Sequence, residues 1–120
     1  MSRDPRKLEV FALADEIVLE IYRCTQNFPT EERYGLQSQI RRAAVSVPAN
    51  IVEGCSRDST RDYPHFMTIA LGSASEARYL LELASRLGFV NELQHTPIHA
   101  RFDQLIRSLQ KLISSLKNSE

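Results

Sequence analysis

The chain has 120 residues, with fifteen basic and fifteen acidic side chains and a formal net charge of zero. That length fits one domain with a single core, and zero net charge removes the bulk field by which basic proteins attract nucleic acid. Four glycines and five prolines among abundant Leu, Ala, Glu, Arg and Gln favour an all-α fold over a β or disordered one.

The charge is unevenly spread. Residues 1–32 carry seven acids against four bases, whereas residues 33–61 hold Arg33, Arg41, Arg42, Arg57 and Arg61 against only Glu53 and Asp58. Twelve of the fifteen cations are arginine, whose planar fork suits directional pairing with carboxylate or phosphate. Cys24 and Cys55 lack C-x-x-C spacing and read as reduced residues at the core edge. Acids interrupt the apolar residues after Leu8, so no signal-peptide core is visible, and no apolar run nears the ~18 residues of a membrane span. A cytoplasmic protein without membrane contact is expected.

The first helix is predicted over Leu8 to Thr25, with Phe11, Ala14, Ile17 or Val18, and Ile21 at helical spacing. Asn27-Phe28-Pro29 stops it, since the residue before proline is pushed out of the α region. Thr30 then reads as an N-cap with Glu31 and Glu32 in the first turn, where the helix dipole favours negative charge. Helix two is predicted from about Glu31 to Val52 or Cys55, kinked near Pro48 and closed by Gly54 in a left-handed conformation. Leu36, Ile40, Ala44, Val47, Ile51 and Cys55 form its apolar face.

Ser59-x-x-Asp62 has capping-box spacing and predicts a third helix beginning at Thr60. Its apolar positions, from Tyr63 to Leu87, cover more than one face, and Gly72, Ser73, Ala74 and Ser75 permit close approach of a neighbour. That breadth hints at contact with a second surface, and so at an oligomer. Leu87-Gly88-Phe89 reads as a glycine stop, and Asn91 can cap the next segment. After a short turn over 91–95, helix four is predicted from Pro97 to about Leu116, with Ile98, Phe102, Leu105, Leu109, Leu112 and Leu116 buried. Four helices with short connections give an antiparallel up-down-up-down bundle, one domain over residues 1–120 with its core at about 8–116.

Chemistry-bearing groups are sparse. His95, His99 and Asp103 share four-residue spacing, but Pro97 lies between the histidines and no further ligand is indicated, so they read as a solvated face rather than a metal site. Cys55 or Ser56 as a nucleophile needs a base, and His65 lies on the next helix with no orienting acid. Gly54 and Gly72 are isolated, so no phosphate loop supports a nucleotide cofactor. No enzyme activity, cofactor or metal is expected. Arg41, Arg42, Arg57 and Arg61 either bind phosphate or pair with Glu53, Glu76 or Glu82 to fix the bundle or a subunit contact.

The run Phe28-Pro29-x-Glu31-Glu32-x-Tyr34-Gly35-Leu36-x-x-Gln39-Ile40-Arg41-Arg42, continuing through Val47-Pro48-Ala49-Asn50-Ile51-Val52-Glu53-Gly54, is followed by Ile69-Ala70-x-Gly72-Ser73-x-x-Glu76 and by Leu87-Gly88-Phe89. These motifs resemble the four-helix-bundle family first named for open reading frames in intervening sequences of bacterial 23S ribosomal RNA genes, over about residues 8–116. The resemblance implies a ring-like homopentamer. It also implies kinship with the accessory variability determinant proteins of diversity-generating retroelements, whose barrel-shaped pentamers bind a reverse transcriptase and nucleic acid.

Those relatives are markedly basic and this chain is neutral, so RNA or DNA contact is expected only through a clustered patch: Arg41, Arg57 and Arg61, with Arg33. Arg42, Asn50, Glu53 and Glu76 stand at motif positions and are expected to form a structural polar network, with Arg41 or Arg42 ion-paired to Glu53 or Glu76 within or between subunits. The combined expectation is a non-enzymatic homo-oligomeric scaffold with nucleic-acid binding. The competing one is a protein-binding adaptor in which the same arginines organise subunits.

Overall fold

The computed structural model describes residues 3–118. Its four helices are α1 (Glu9–Thr25), α2 (Leu36–Cys55), α3 (Asp62–Arg86) and α4 (Glu92–Asn118), with single 3₁₀ turns at Pro5–Lys7 and Thr30–Glu32. Among the described residues no strand occurs. The packed pairs are α1 with α2, α2 with α3, α3 with α4, and α1 with α4, which closes a bundle of 46 × 23 × 19 Å. Short connections return the chain each time, as the antiparallel reading expects.

The core follows the helical periodicity. Ala14, Ile17 and Ile21 of α1 share it with Ile40, Ala44, Val47 and Ile51 of α2 and with Phe102, Leu105 and Leu109 of α4. Most of the wide apolar arc of α3 is used within the chain, because α3 packs against both α2 and α4, while Ile69 stays exposed. Several of its buried positions are small, among them Ala70, Ala74 and Ala77.

Several boundaries differ from the sequence reading. Helix two starts at Leu36, because Glu32 Oε1 accepts a hydrogen bond from the Leu36 amide at 2.9 Å and caps it there. Thr30 opens only the 3₁₀ turn. Helix two runs through Pro48, as expected, to Cys55, the later of the two ends read for it. Gly54 is not a left-handed terminus; it lies inside the helix, where a Cβ would stand 3.0 Å from Phe66 Cβ and 2.9 Å from Met67 Cε. Its lack of a side chain lets α2 approach α3.

Helix three starts two residues later than expected, with Ser59 Oγ accepting from the amides of Arg61 and Asp62. Its stop is as read: Gly88 has φ +81° and the Phe89 amide donates to the Ala84 carbonyl at 2.9 Å, the six-to-one bond of a Schellman turn. Helix four begins at Glu92 rather than Pro97, because Asn91 Oδ1 accepts from the Gln94 amide at 2.9 Å and starts the helix ahead of the proline. Its buried stripe is Ile98, Phe102, Leu105, Ile106, Leu109 and Ile113, with Leu112 and Leu116 only partly covered. No helix of the described residues is long and apolar enough to cross a membrane.

Candidate nucleic-acid interface

The four arginines expected to contact nucleic acid separate into two groups toward opposite ends of α2, since Arg41 and Cys55 are about 21 Å apart along the helix axis. At the N-terminal end, Arg33, Arg41 and Arg42 line an open cleft of about 350 Å³ with Tyr22, Tyr34 and Gln37. No carboxylate lines it. Arg41 is built into its wall: Nε donates to Thr25 Oγ1 at 2.8 Å, Nη2 donates to the Tyr22 carbonyl at 3.2 Å, and the guanidinium lies 4.5 Å from the centre of the Tyr22 ring. Gln37 Nε2 donates to the Thr25 carbonyl at 3.0 Å, so both side chains satisfy the orphan end of α1. Thr25 is fully buried and its hydroxyl donates to the Ile21 carbonyl at 2.7 Å.

At the C-terminal end, Arg57 forms an ion pair with Glu53 one turn earlier and lies over the Phe66 ring. Arg61 is exposed in the turn before α3. The leader also folds back here: the Arg3 amide donates to the Cys55 carbonyl at 2.8 Å and its guanidinium stands 3.8 Å from the Tyr63 ring centre. Cations at this end complement the negative pole of the helix dipole. Nothing in the sequence marked Arg3 for this role.

The expected polar network is divided. Arg42 and Glu76 line a second groove with Gln39, Ala43, Ser46 and Ser73, where the Ser46 and Ser73 hydroxyls are 2.9 Å apart across α2 and α3. Asn50 Nδ2 donates to the Ser46 carbonyl at 2.7 Å and to its hydroxyl at 3.0 Å. Glu53 stands apart from them with Arg57. Within the chain the expected pairing of Arg41 with an acid is replaced: its donors serve Thr25 and Tyr22, in the last turn of α1.

The remaining reactive groups have other employments. Asp103 accepts from Arg78 Nη1 at 2.7 Å, which holds its carboxyl below the usual range, and His99 Nδ1 lies 3.5 Å from the other oxygen. These side chains are half-buried against α3 rather than a solvated face. Among the described residues no three His, Cys, Asp or Glu side chains gather to hold a metal. Burial pushes the Cys24 thiol up to about 11 and raises that of Cys55, leaving both protonated at neutral pH.

Known proteins share the fold. The solved structure of a protein of unknown function from the S23 ribosomal protein family of Bacteroides thetaiotaomicron superposes with a TM-score of 0.80, at 26% identity, over 88% of this chain and 95% of that one. Among curated proteins none matches. The family model described as 23S rRNA-intervening sequence protein matches residues 6–111, from the leader to the last turns of α4, and the chain therefore belongs to that family.

Proposed function

We propose that this protein is a non-catalytic scaffold that assembles with copies of itself, five to a ring, and holds nucleic acid at the cleft of Arg33, Arg41 and Arg42. The cleft carries the reading: three guanidinium groups and two phenols converge on a surface with no lining carboxylate, in a chain of zero net charge. Phosphate binding depends on such local fields, and a ring repeats each patch.

Self-assembly draws support from apolar side chains that the monomer leaves in water. Val45 and Val52 of α2 are 38% and 44% exposed, and Ile69 and Tyr79 stand out from α3. Five is the number that the family resemblance implies.

The test is absolute mass by light scattering, with and without a mixed RNA and DNA pool, at low and moderate salt. A mass near five chains that gains nucleic acid and releases it as salt rises supports the scaffold. A monomer overturns the assembly. A pentamer indifferent to both pools favours the adaptor reading, with a protein such as a reverse transcriptase as partner. That reading has its own support, since Arg41 and Arg57 both spend donors inside the chain.

A further inference from the structure

We infer that the cleft between the end of α1 and the start of α2 seats one nucleotide of a single strand, the base stacked on Tyr34 and the phosphate held by Arg33 and Arg42. This rests on the proposed nucleic-acid binding and gives it a chemical form.

Tyr34 is 88% exposed, matched among the large apolar side chains only by Leu93, which lies on α4 outside the cleft lining. A phenol ring standing in water at the rim of a basic cleft offers a face to any base, and such stacking tolerates sequence. Arg41 and Gln37, tied to the end of α1, give the cleft a wall that needs no ordering when a ligand arrives. Arg33 and Arg42 are exposed, so their forks are accessible; no carboxylate lines this cleft, and Glu76 shares only the neighbouring groove with Arg42.

The dimensions point the same way. A cleft of about 350 Å³ is at the small end of ligand sites and matches a single nucleotide. A duplex presents phosphates but keeps its bases stacked, so Tyr34 gains a partner only from a strand whose bases are free.

The experiment is fluorescence anisotropy of the intact protein with a labelled mixed-sequence RNA strand, and with that strand annealed to its complement. Light scattering on each variant checks that the assembled mass is kept. Tyr34→Ala is expected to weaken single-strand binding by about 5- to 150-fold, Tyr34→Phe to retain it, and the duplex to bind more weakly than the strand. Arg33→Glu combined with Arg42→Glu is expected to remove binding, while Arg57→Glu combined with Arg61→Glu leaves most of it. Wild-type affinity in Tyr34→Ala, or equal affinity for strand and duplex, overturns the stacked seat. Loss only on replacing Arg57 and Arg61 overturns the cleft but leaves nucleic-acid binding standing. A wild-type protein that binds neither probe at low salt but still binds the mixed RNA and DNA pool overturns this seat alone, and one that binds no nucleic acid removes the proposed binding and this inference together.

Discussion

The two ends of α2 put the same residue type to opposite uses. At the C-terminal end, Arg57 is neutralised by Glu53 and lies on Phe66, while the Arg3 amide closes a helix carbonyl; the charge is absorbed by neighbours and by the helix dipole. At the N-terminal end, Arg41 spends its donors on Thr25 and on a backbone carbonyl, groups that are polar but uncharged, and Arg33 and Arg42 stand beside it in a cleft that no acid lines, Glu76 reaching only the neighbouring groove. An arginine held by neutral acceptors keeps its field, and one held by a carboxylate loses it. The sequence already puts both acids of residues 33–61, Glu53 and Asp58, at the second end; that neutral acceptors hold Arg41 shows only in the fold.

Four substitutions and one pH profile break or sharpen this contrast. The largest effect belongs to the packed end: Gly54→Val drives a branched side chain into Phe66 and Met67, and urea unfolding should show a loss of about 3 kcal/mol. Arg41→Ala comes next, because it strips the charged donor from a fully buried hydroxyl; the expected cost in the same assay is about 2 kcal/mol. A cost near zero would mean that Arg41 is as free as Arg33 and that the cleft has no fixed wall.

Gly72 is exposed in the interior of α3, and a Cβ there meets nothing within 4 Å. Gly72→Ala should therefore raise the melting temperature, by about 1 kcal/mol in stability. A fall in assembled mass by light scattering would instead place a second copy against that glycine. Arg57→Ala should change stability by only about 0.5 kcal/mol, since both partners are about half exposed.

The Arg78–Asp103 pair is the pH-sensitive counterpart. Its guanidinium lowers the Asp103 pKa in the folded state, so the stability it contributes is present above the ordinary carboxylate value of 3.8 and is lost as pH falls through the lowered one. Asp103→Asn should flatten the unfolding profile below about pH 4 and leave its shape at neutral pH alone. An unchanged acid limb would show that other carboxylates set it.

Legibility in the sequence tracked the range of the interaction. The Schellman stop at Gly88 and the caps of Ser59 and Asn91 were readable because each is closed by residues within one turn or so of itself. Pro97 misled the reading because proline is tolerated at a helix start and the competing Asn91 cap lies only six residues earlier. Gly54 carried two meanings, chain reversal or close approach, and only the position of Phe66 on another helix separates them.

The candidate site was half legible. The sequence groups Arg33 and Arg41 with Arg57 and Arg61, but a helix of twenty residues holds its ends apart, and no spacing rule reports that Tyr22 and Tyr34 line the same cleft.

By itself, then, the sequence determined the four amphipathic segments, their stripes and most of their stops, because periodicity and capping are properties of neighbouring residues. Only the tertiary structure decided which distant groups the arginines meet: Arg57 and Glu53 are paired by their spacing, whereas Arg78 meets Asp103 on another helix. Arg41 finds Thr25 sixteen residues away, across a loop, and the folded end of α1 rather than any local pattern sets that choice.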